Sequence, residues 1–130
     1  MARILGAGKN TLRINDNIGG GEIELYYRNP TTAERVAYSN ESVSRSGRKV
    51  KMSVGDTRAK YGPKILTGIR EGDFVDAEGR PIASDEESPN YRPDWKDLIS
   101  EHAGDLVQLL AASVFEAAAE LAEDEDLEKN

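Results

Sequence analysis

A glycine-rich segment near the start of the chain, GAGKNT at 6–11, is the first place where residue types could do chemistry. Glycines beside a lysine can hold a phosphate with backbone N–H groups and an ammonium. A Walker-type phosphate loop, however, has four residues between its glycines and Ser or Thr directly after the lysine. Here Ala7 alone separates the glycines, and Asn10 follows Lys9. The spacing therefore favours a flexible N-terminus, which we predict over residues 1–8.

Acidic residues form two further candidate sites. DAEG at 76–79, followed by Asp85, is faintly similar to a calcium loop, but its first ligand position is not acidic and its last is Asp rather than Glu, which favours a plain turn. Asp97, Glu101 and Asp105 recur every four residues and so share one face of a predicted helix. Carboxylates on a polar helix face are commonly just solvated, and no second cluster completes a site.

The single histidine and the absence of cysteine restrict catalysis further. Without Cys there is no thiolate nucleophile, disulfide or Cys-based metal site. His102 lies between Leu98 and Leu106 in an apolar stripe, which favours a partly buried structural histidine. No nucleophile elbow accompanies the serines. We therefore predict that the protein is not an enzyme and that it uses no cofactor and no metal.

The charge is unevenly distributed along the chain, whose net charge is −7. Residues 1–70 contain 13 Lys and Arg against 6 Asp and Glu, whereas residues 71–130 contain 4 against 18. A basic segment can contact phosphate, attract acidic protein or be a solvated face, and the last two alternatives are favoured because no nucleic-acid motif accompanies it. The candidate nucleic-acid-binding residues within 45–64 are Arg45, Arg48, Lys49, Lys51, Arg58, Lys60 and Lys64.

The first elements are predicted from turn and capping signals. Two short runs, 11–14 and 22–28, flank a turn rich in Asn, Asp and Gly, and the second run alternates in polarity, so we predict a β-hairpin. Thr31 and Glu34 have the spacing of a capping box, which predicts a helix that begins there. That helix is expected to end near residues 45–47, where Gly can supply a left-handed cap.

The middle of the chain is less well determined by its sequence. Residues 50–54 fit either a short strand or the start of the next helix. Asp56 can cap that helix, whose apolar face would include Leu66 and Ile69. A small β-turn excursion follows. Residues 84–93, which are acidic and contain two prolines, are predicted to form a surface linker.

A long C-terminal amphipathic helix capped by Asp94 is the strongest prediction, and Gly104 could bend or divide it. From residue 107 onward a second apolar set lies opposite the first. A helix that is apolar on both sides must be covered on both sides, either by its own fold or by another chain. Self-association or partner binding is therefore an open expectation. The candidate partner-binding residues are Val107, Ala111, Phe115 and Ala118.

Together these elements predict an α+β fold, with an N-terminal hairpin followed by helices, in a single domain over residues 1–130. The acidic tail at 123–130 is predicted to be disordered. The N-terminal sequence has too short an apolar stretch for a signal peptide, and the apolar run at 106–115 is too short to span a bilayer. We therefore expect a cytoplasmic protein with no membrane partner.

Three stretches resemble small proteins of tailed-phage and prophage morphogenesis modules. They are YYRNPTTAE at 26–34, KYGPKILTG at 60–68 and PDWKDL at 93–98. The first, a strand that runs into Arg-x-Pro-Thr and a helix, is similar to the opening of phage tail assembly chaperones. The resemblance implies a protein that binds tail-tube or tape-measure proteins before assembly. It carries over no functional residues, because none of these motifs is a catalytic signature.

The expected function is accordingly that of a non-enzymatic assembly or interaction protein in the cytoplasm of a bacterial host. The two-sided helix and the divided charge suit such a role. The alternative is a nucleic-acid-binding module that uses residues 45–64, with affinity that falls steeply as salt rises.

Overall fold

The computed structural model describes residues 10–43 and 53–116, which form an α+β fold as predicted. Two compact units divide the chain: the first comprises Met1–Asn29 and Ile65–Ala103, and the second comprises Pro30–Lys64 and Gly104–Asn130. The predictions for residues 1–8 and 123–130 lie outside the described residues. The elements in chain order are β1 (Asn10–Asp16), β2 (Gly21–Tyr27), α1 (Thr32–Val43), α2 (Ser53–Ile65), β3 (Leu66–Ile69), α3 (Trp95–His102), α4 (Gly104–Ala111) and a π-helical turn (Ala112–Glu116).

The predicted hairpin is present and forms two strands of an antiparallel sheet in the order β1-β2-β3. Its turn is held by Asp16, whose carboxylate accepts the backbone N–H groups of Ile18 at 3.1 Å and Gly19 at 2.9 Å. Gly20 has a φ of 80°, which glycine adopts without steric cost. The alternating pattern of β2 places Ile23 and Leu25 in the interior, where one sheet face is apolar.

The third strand corrects the sequence prediction at Leu66 and Ile69, which we had expected on the face of a helix. The helix α2 ends at Ile65, and Leu66–Ile69 pairs with β2 instead. Pro63 lies in the last turn of α2, where its missing N–H removes one hydrogen bond of the helix. Both residues are buried, and the Ile69 N–H donates to Ser84 Oγ at 2.9 Å. Pairing with β2 thus replaces the helical hydrogen bonds.

Residues 73–93 form hydrogen-bonded turns within the first unit. Val75 bridges Pro81, and Ala83 bridges Tyr91. The side chains of Ser88 and Asn90 both donate to the carboxylate of Glu71 at 2.7 Å, within the segment predicted as a linker.

The predicted long C-terminal helix is only partly confirmed, because it is interrupted at Ala103. Ala103 has a φ of −127° and a ψ of 41°, outside the helical range, and its N–H closes the last turn of α3 on the carbonyl of Ile99. Asp94 makes no capping hydrogen bond with its side chain, contrary to expectation. Its carboxylate instead accepts from the guanidinium of Arg92 at 3.1 and 3.2 Å.

The second unit is helical, and α1 begins with the predicted capping box. Thr31 Oγ1 accepts the Glu34 N–H at 3.1 Å, and Glu34 Oε1 accepts the Thr31 N–H at 2.9 Å. Since α2 begins at Ser53, Val54 is helical, while residues 50–52 lie outside the described part.

The helices α2 and α4 approach so closely at Gly62 that a side chain there has no room. A Cβ at Gly62 would lie 2.5 Å from Val107 Cγ1 and 2.6 Å from the Val107 carbonyl oxygen. The backbone of α4 cannot give way as a flexible side chain would. Glycine is therefore required by the packing at this position.

This close approach predicts opposite effects for two glycine substitutions in the same helix. Gly62→Ala should lower the free energy of unfolding by about 1–3 kcal/mol, because it overpacks the contact with Val107. Gly55→Ala is the matched control, since its nearest neighbour is Gln108 Oε1 at 4.0 Å. It should be neutral or stabilise by up to about 1 kcal/mol through helix propensity. Urea unfolding followed by circular dichroism measures both, and equal stabilisation by the two variants would contradict the packing.

Candidate binding groove

A groove in the first unit lies between the turn region 73–83 and one face of α3. The turn region is fixed by paired backbone hydrogen bonds, Asp76 N–H to the Arg80 carbonyl and Ile82 N–H to the Phe74 carbonyl, each 2.9 Å long. The Asp76 carboxylate accepts two further N–H groups, those of Glu78 and Arg80, also at 2.9 Å. These N–H donors, that of Arg80 above all, hold the pKa of Asp76 below its ordinary value.

The groove has an apolar floor and a volume of about 480 Å³. Ile82 and Ile99 are buried at its base, while Phe74 and Leu98 are half-buried along its sides. Leu98, Ile99 and His102 share one face of α3, as their spacing requires. The lining residues are Phe74, Val75, Asp76, Ala77, Glu78, Ile82, Arg92, Leu98, Ile99, His102 and Ala103.

The rim of the groove combines an exposed aliphatic side chain with charged groups. Val75 is 57% exposed, which is unusual for a residue beside an apolar floor. Arg92 pairs with Asp94 at 3.1 Å and lies 3.7 Å from Asp76, so its charge is compensated. Glu78 is exposed on the same rim. Seven of the eleven lining residues are apolar, and the other four are charged or titratable, so the arrangement suits the binding of an apolar group beside polar ones.

The structure corrects the expectation for His102, which is exposed rather than partly buried. It is the last residue of α3 and directly precedes the interruption at Ala103. His102 thus belongs to the edge of the groove.

The candidate partner-binding residues lie in the interior of the second unit. Val107, Ala111 and Phe115 are buried, and Ala118 lies outside the described residues. The ring of Phe115 stacks on that of Tyr38, with centroids 4.3 Å apart and planes 1° from parallel. The chain itself therefore covers the described part of this second apolar face, and cover by its own fold was one of the two explanations left open by the sequence.

Carboxylates of the second unit engage two of the candidate nucleic-acid-binding residues. Arg58 donates to Glu116 through Nε at 2.7 Å and Nη2 at 2.6 Å, and Lys60 Nζ lies 3.0 Å from Glu41 Oε1. Lys64 Nζ lies 5.5 Å from the centre of the Tyr61 ring. The other candidates, Arg45, Arg48, Lys49 and Lys51, lie outside the described residues.

Each of these two carboxylates also accepts a tyrosine hydroxyl. Tyr38 donates to Glu116, and Tyr61 donates to Glu41 at 2.6 Å. The hydrogen bond to Glu41 is the main cause that raises the pKa of Tyr61 to about 12, and burial of the hydroxyl acts in the same direction. Burial and the hydrogen bond to Glu116 raise the pKa of Tyr38. Arg58 in turn lowers the pKa of Glu116.

The acidic candidate sites are not brought together as metal sites. Asp97 and Glu101 belong to the first unit and Asp105 to the second, and all three are exposed. Within residues 10–43 and 53–116, no cluster of three acidic or His residues could hold a metal ion. None of the helices in these ranges has the length and apolar content needed to cross a bilayer.

Sequence reasoning identified the turn region but missed the groove. Phe74 and Ile82 flank the turn at 76–79. A hairpin-like pairing across this turn would have predicted that the two residues lie next to each other. Their position beside Leu98 and Ile99 depends on tertiary packing. Compared with known proteins, the chain matches no family model, no curated protein and no solved structure.

The Arg58–Glu116 pair predicts a defined dependence of stability on pH. The folded-state pKa of Glu116 is lower than its ordinary value of 4.5. The contribution of ionised Glu116 to the free energy of unfolding is therefore complete above its unfolded-state pKa. That contribution is lost as the pH falls through the folded-state pKa. Glu116→Gln should lower the free energy of unfolding by about 1–2 kcal/mol near neutral pH, and this difference from wild type should shrink below about pH 4.5.

Urea unfolding at a series of pH values measures the effect of Glu116→Gln. Glu101→Gln is the matched control, because Glu101 is exposed and no ion pair to it is found within the described ranges. The control should stay close to wild type throughout. A Glu116→Gln difference that is independent of pH would contradict the assignment.

Proposed function

We propose that this protein is a non-enzymatic assembly protein of a tailed-phage or prophage morphogenesis module, acting as a tail assembly chaperone in the cytoplasm of the bacterial host. The observation that carries the proposal is the segment at 26–34. The strand β2 runs to Tyr27, and α1 begins at Thr32 behind the reciprocal capping box of Thr31 and Glu34. This strand-to-helix arrangement is what the sequence resemblance implies for that segment.

The partners proposed for the protein are the tail-tube and tape-measure proteins. Binding of such a partner needs an accessible apolar surface with a polar border. In the groove beside α3, Val75 and Leu98 supply the apolar surface, and Glu78 supplies part of the polar border. The buried face of α4 is not needed for this role, because its side chains already pack within the second unit.

Nucleic-acid binding is the second candidate function, and it has weaker support. Phosphate contacts require cations whose charge is available. Arg58 and Lys60 are both paired with carboxylates of the same unit. A module of this kind would therefore depend on residues 45–51 of the basic segment.

Co-expression tests the proposed function directly. The tagged protein is expressed together with the products of the genes that neighbour its own, and the complexes are purified and sized. We expect a tail-tube or tape-measure protein to be recovered in a fixed ratio and to aggregate when it is expressed alone. Expression with an unrelated acidic protein in place of this chain controls for general solubilisation.

Two outcomes would contradict the proposal. The first is a chain that elutes alone from every pairwise expression. The second is specific binding of double-stranded DNA at low salt, with an affinity that falls steeply as the salt concentration rises. This binding would also be lost in the triple variant Lys49→Ala, Lys51→Ala and Lys60→Ala. That result would favour the nucleic-acid module.

A further inference from the structure

We infer that the groove beside α3 binds an amphipathic segment of the partner whose apolar residues enter the groove and whose flanking residues are Lys or Arg. The inference rests on the proposed function, since it names the chemistry of the partner segment. It follows from the apolar character of the groove and from the charge of the unit that contains it.

The apolar side of the groove is open rather than covered within the described residues. Val75 exposes 57% of its surface on the rim, although its backbone is fixed by the bridge to Pro81. Leu98 and Phe74 are only half-buried. Burying such apolar surface on binding is favourable in proportion to the area removed from water. A cavity of about 480 Å³ is sufficient for apolar anchor side chains of a partner.

The charge of the surroundings selects a cationic partner. The described residues of the first unit, 10–29 and 65–103, contain 6 Lys and Arg against 13 Asp and Glu, a net charge of −7. Near the groove, Arg80 and Arg92 are each paired with carboxylates. At about 100° per residue, Asp97 and Glu101 fall on the flank of α3 next to Leu98. Electrostatic complementarity therefore favours Lys and Arg beside the anchor residues.

The probe for this inference is a synthetic amphipathic helix of leucine and lysine, compared with a leucine and glutamate helix of the same length. Dissociation constants are measured by fluorescence anisotropy of the labelled peptides. We expect the lysine peptide to bind at least about tenfold more tightly than the glutamate peptide. Equal affinity for the two peptides would overturn the inference.

Two pairs of variants locate the binding. Val75→Arg should weaken binding of the lysine peptide about tenfold, because it places a cation over the apolar floor. Ile18→Arg is its matched control, since Ile18 is 88% exposed at the hairpin turn, and it should change affinity less than about twofold. Glu78→Lys should weaken binding more than Glu86→Lys, which makes the same change of charge away from the groove. Equal effects within either pair would overturn the inference.

The same variants separate this inference from the proposed function. Recovery of the tail protein at wild-type yield with Val75→Arg would overturn the groove as the docking site while the assembly function stands. Groove-specific peptide binding with no tail protein recovered would overturn the assembly function while the groove stands. Loss of recovery with Val75→Arg but not with Ile18→Arg supports both.

Discussion

The contact of Gly62 with Val107 is the constraint on which the second unit depends. Because glycine has no Cβ, α2 can approach the backbone of α4 at Val107. In the same unit, three aromatic side chains pack against one another. Tyr61 meets both Tyr38 and Phe115 edge to face, at centroid distances of 5.6 and 5.8 Å. Phe115 belongs to this cluster, and Val107 and Ala111 of the same apolar face are also buried, so these three side chains need no other chain to cover them.

The polar groups above that cluster follow from the same packing. Once Phe115 stacks on Tyr38, the next residue, Glu116, meets the Tyr38 hydroxyl and the Arg58 guanidinium. A carboxylate that accepts from an arginine and a phenol is strongly satisfied, and hydrogen bonds to charged groups stabilise more than neutral ones. Arg58, a candidate nucleic-acid-binding residue, is therefore part of an ion pair within the fold.

In the first unit, side chains that satisfy backbone groups shape one wall of the groove. The Asp76 carboxylate accepts hydrogen bonds from two N–H groups of its turn. The Ser84 hydroxyl accepts from the Ile69 N–H and donates to the Ile69 carbonyl. These bonds fix the turn around Asp76 and join Ser84 to the strand β3. The turn region that forms one wall of the groove is thus ordered by its own hydrogen bonds, which would lower the ordering cost for the partner segment proposed above.

Local signals in the sequence were sufficient for the hairpin and the capping box, because each depends on residues within a few positions of one another. The strand at Leu66–Ile69 was missed, since the same apolar residues fit both a helical and an alternating pattern. Gly104 was the only sequence signal for the interruption at Ala103. The helical spacing of apolar residues continues on both sides of that position and so gives no sign of a break.

The groove and the ion pairs could not be predicted from local signals. Arg58 and Glu116 are separated by 58 positions, and Phe74 and Leu98 meet only through tertiary packing. No periodicity connects residues so far apart in the chain.

The chain itself covers Val107, Ala111 and Phe115 of its second apolar face. The most direct test is an isotope-filtered nuclear Overhauser experiment on a mixture of labelled and unlabelled protein. Because these two rings stack within one chain, we expect strong contacts between Tyr38 and Phe115 of the same labelled chain, and these contacts should not change on dilution. Contacts that arise only between labelled and unlabelled chains, or that vanish on dilution, would contradict it and would return Val107, Ala111 and Phe115 to the partner surface.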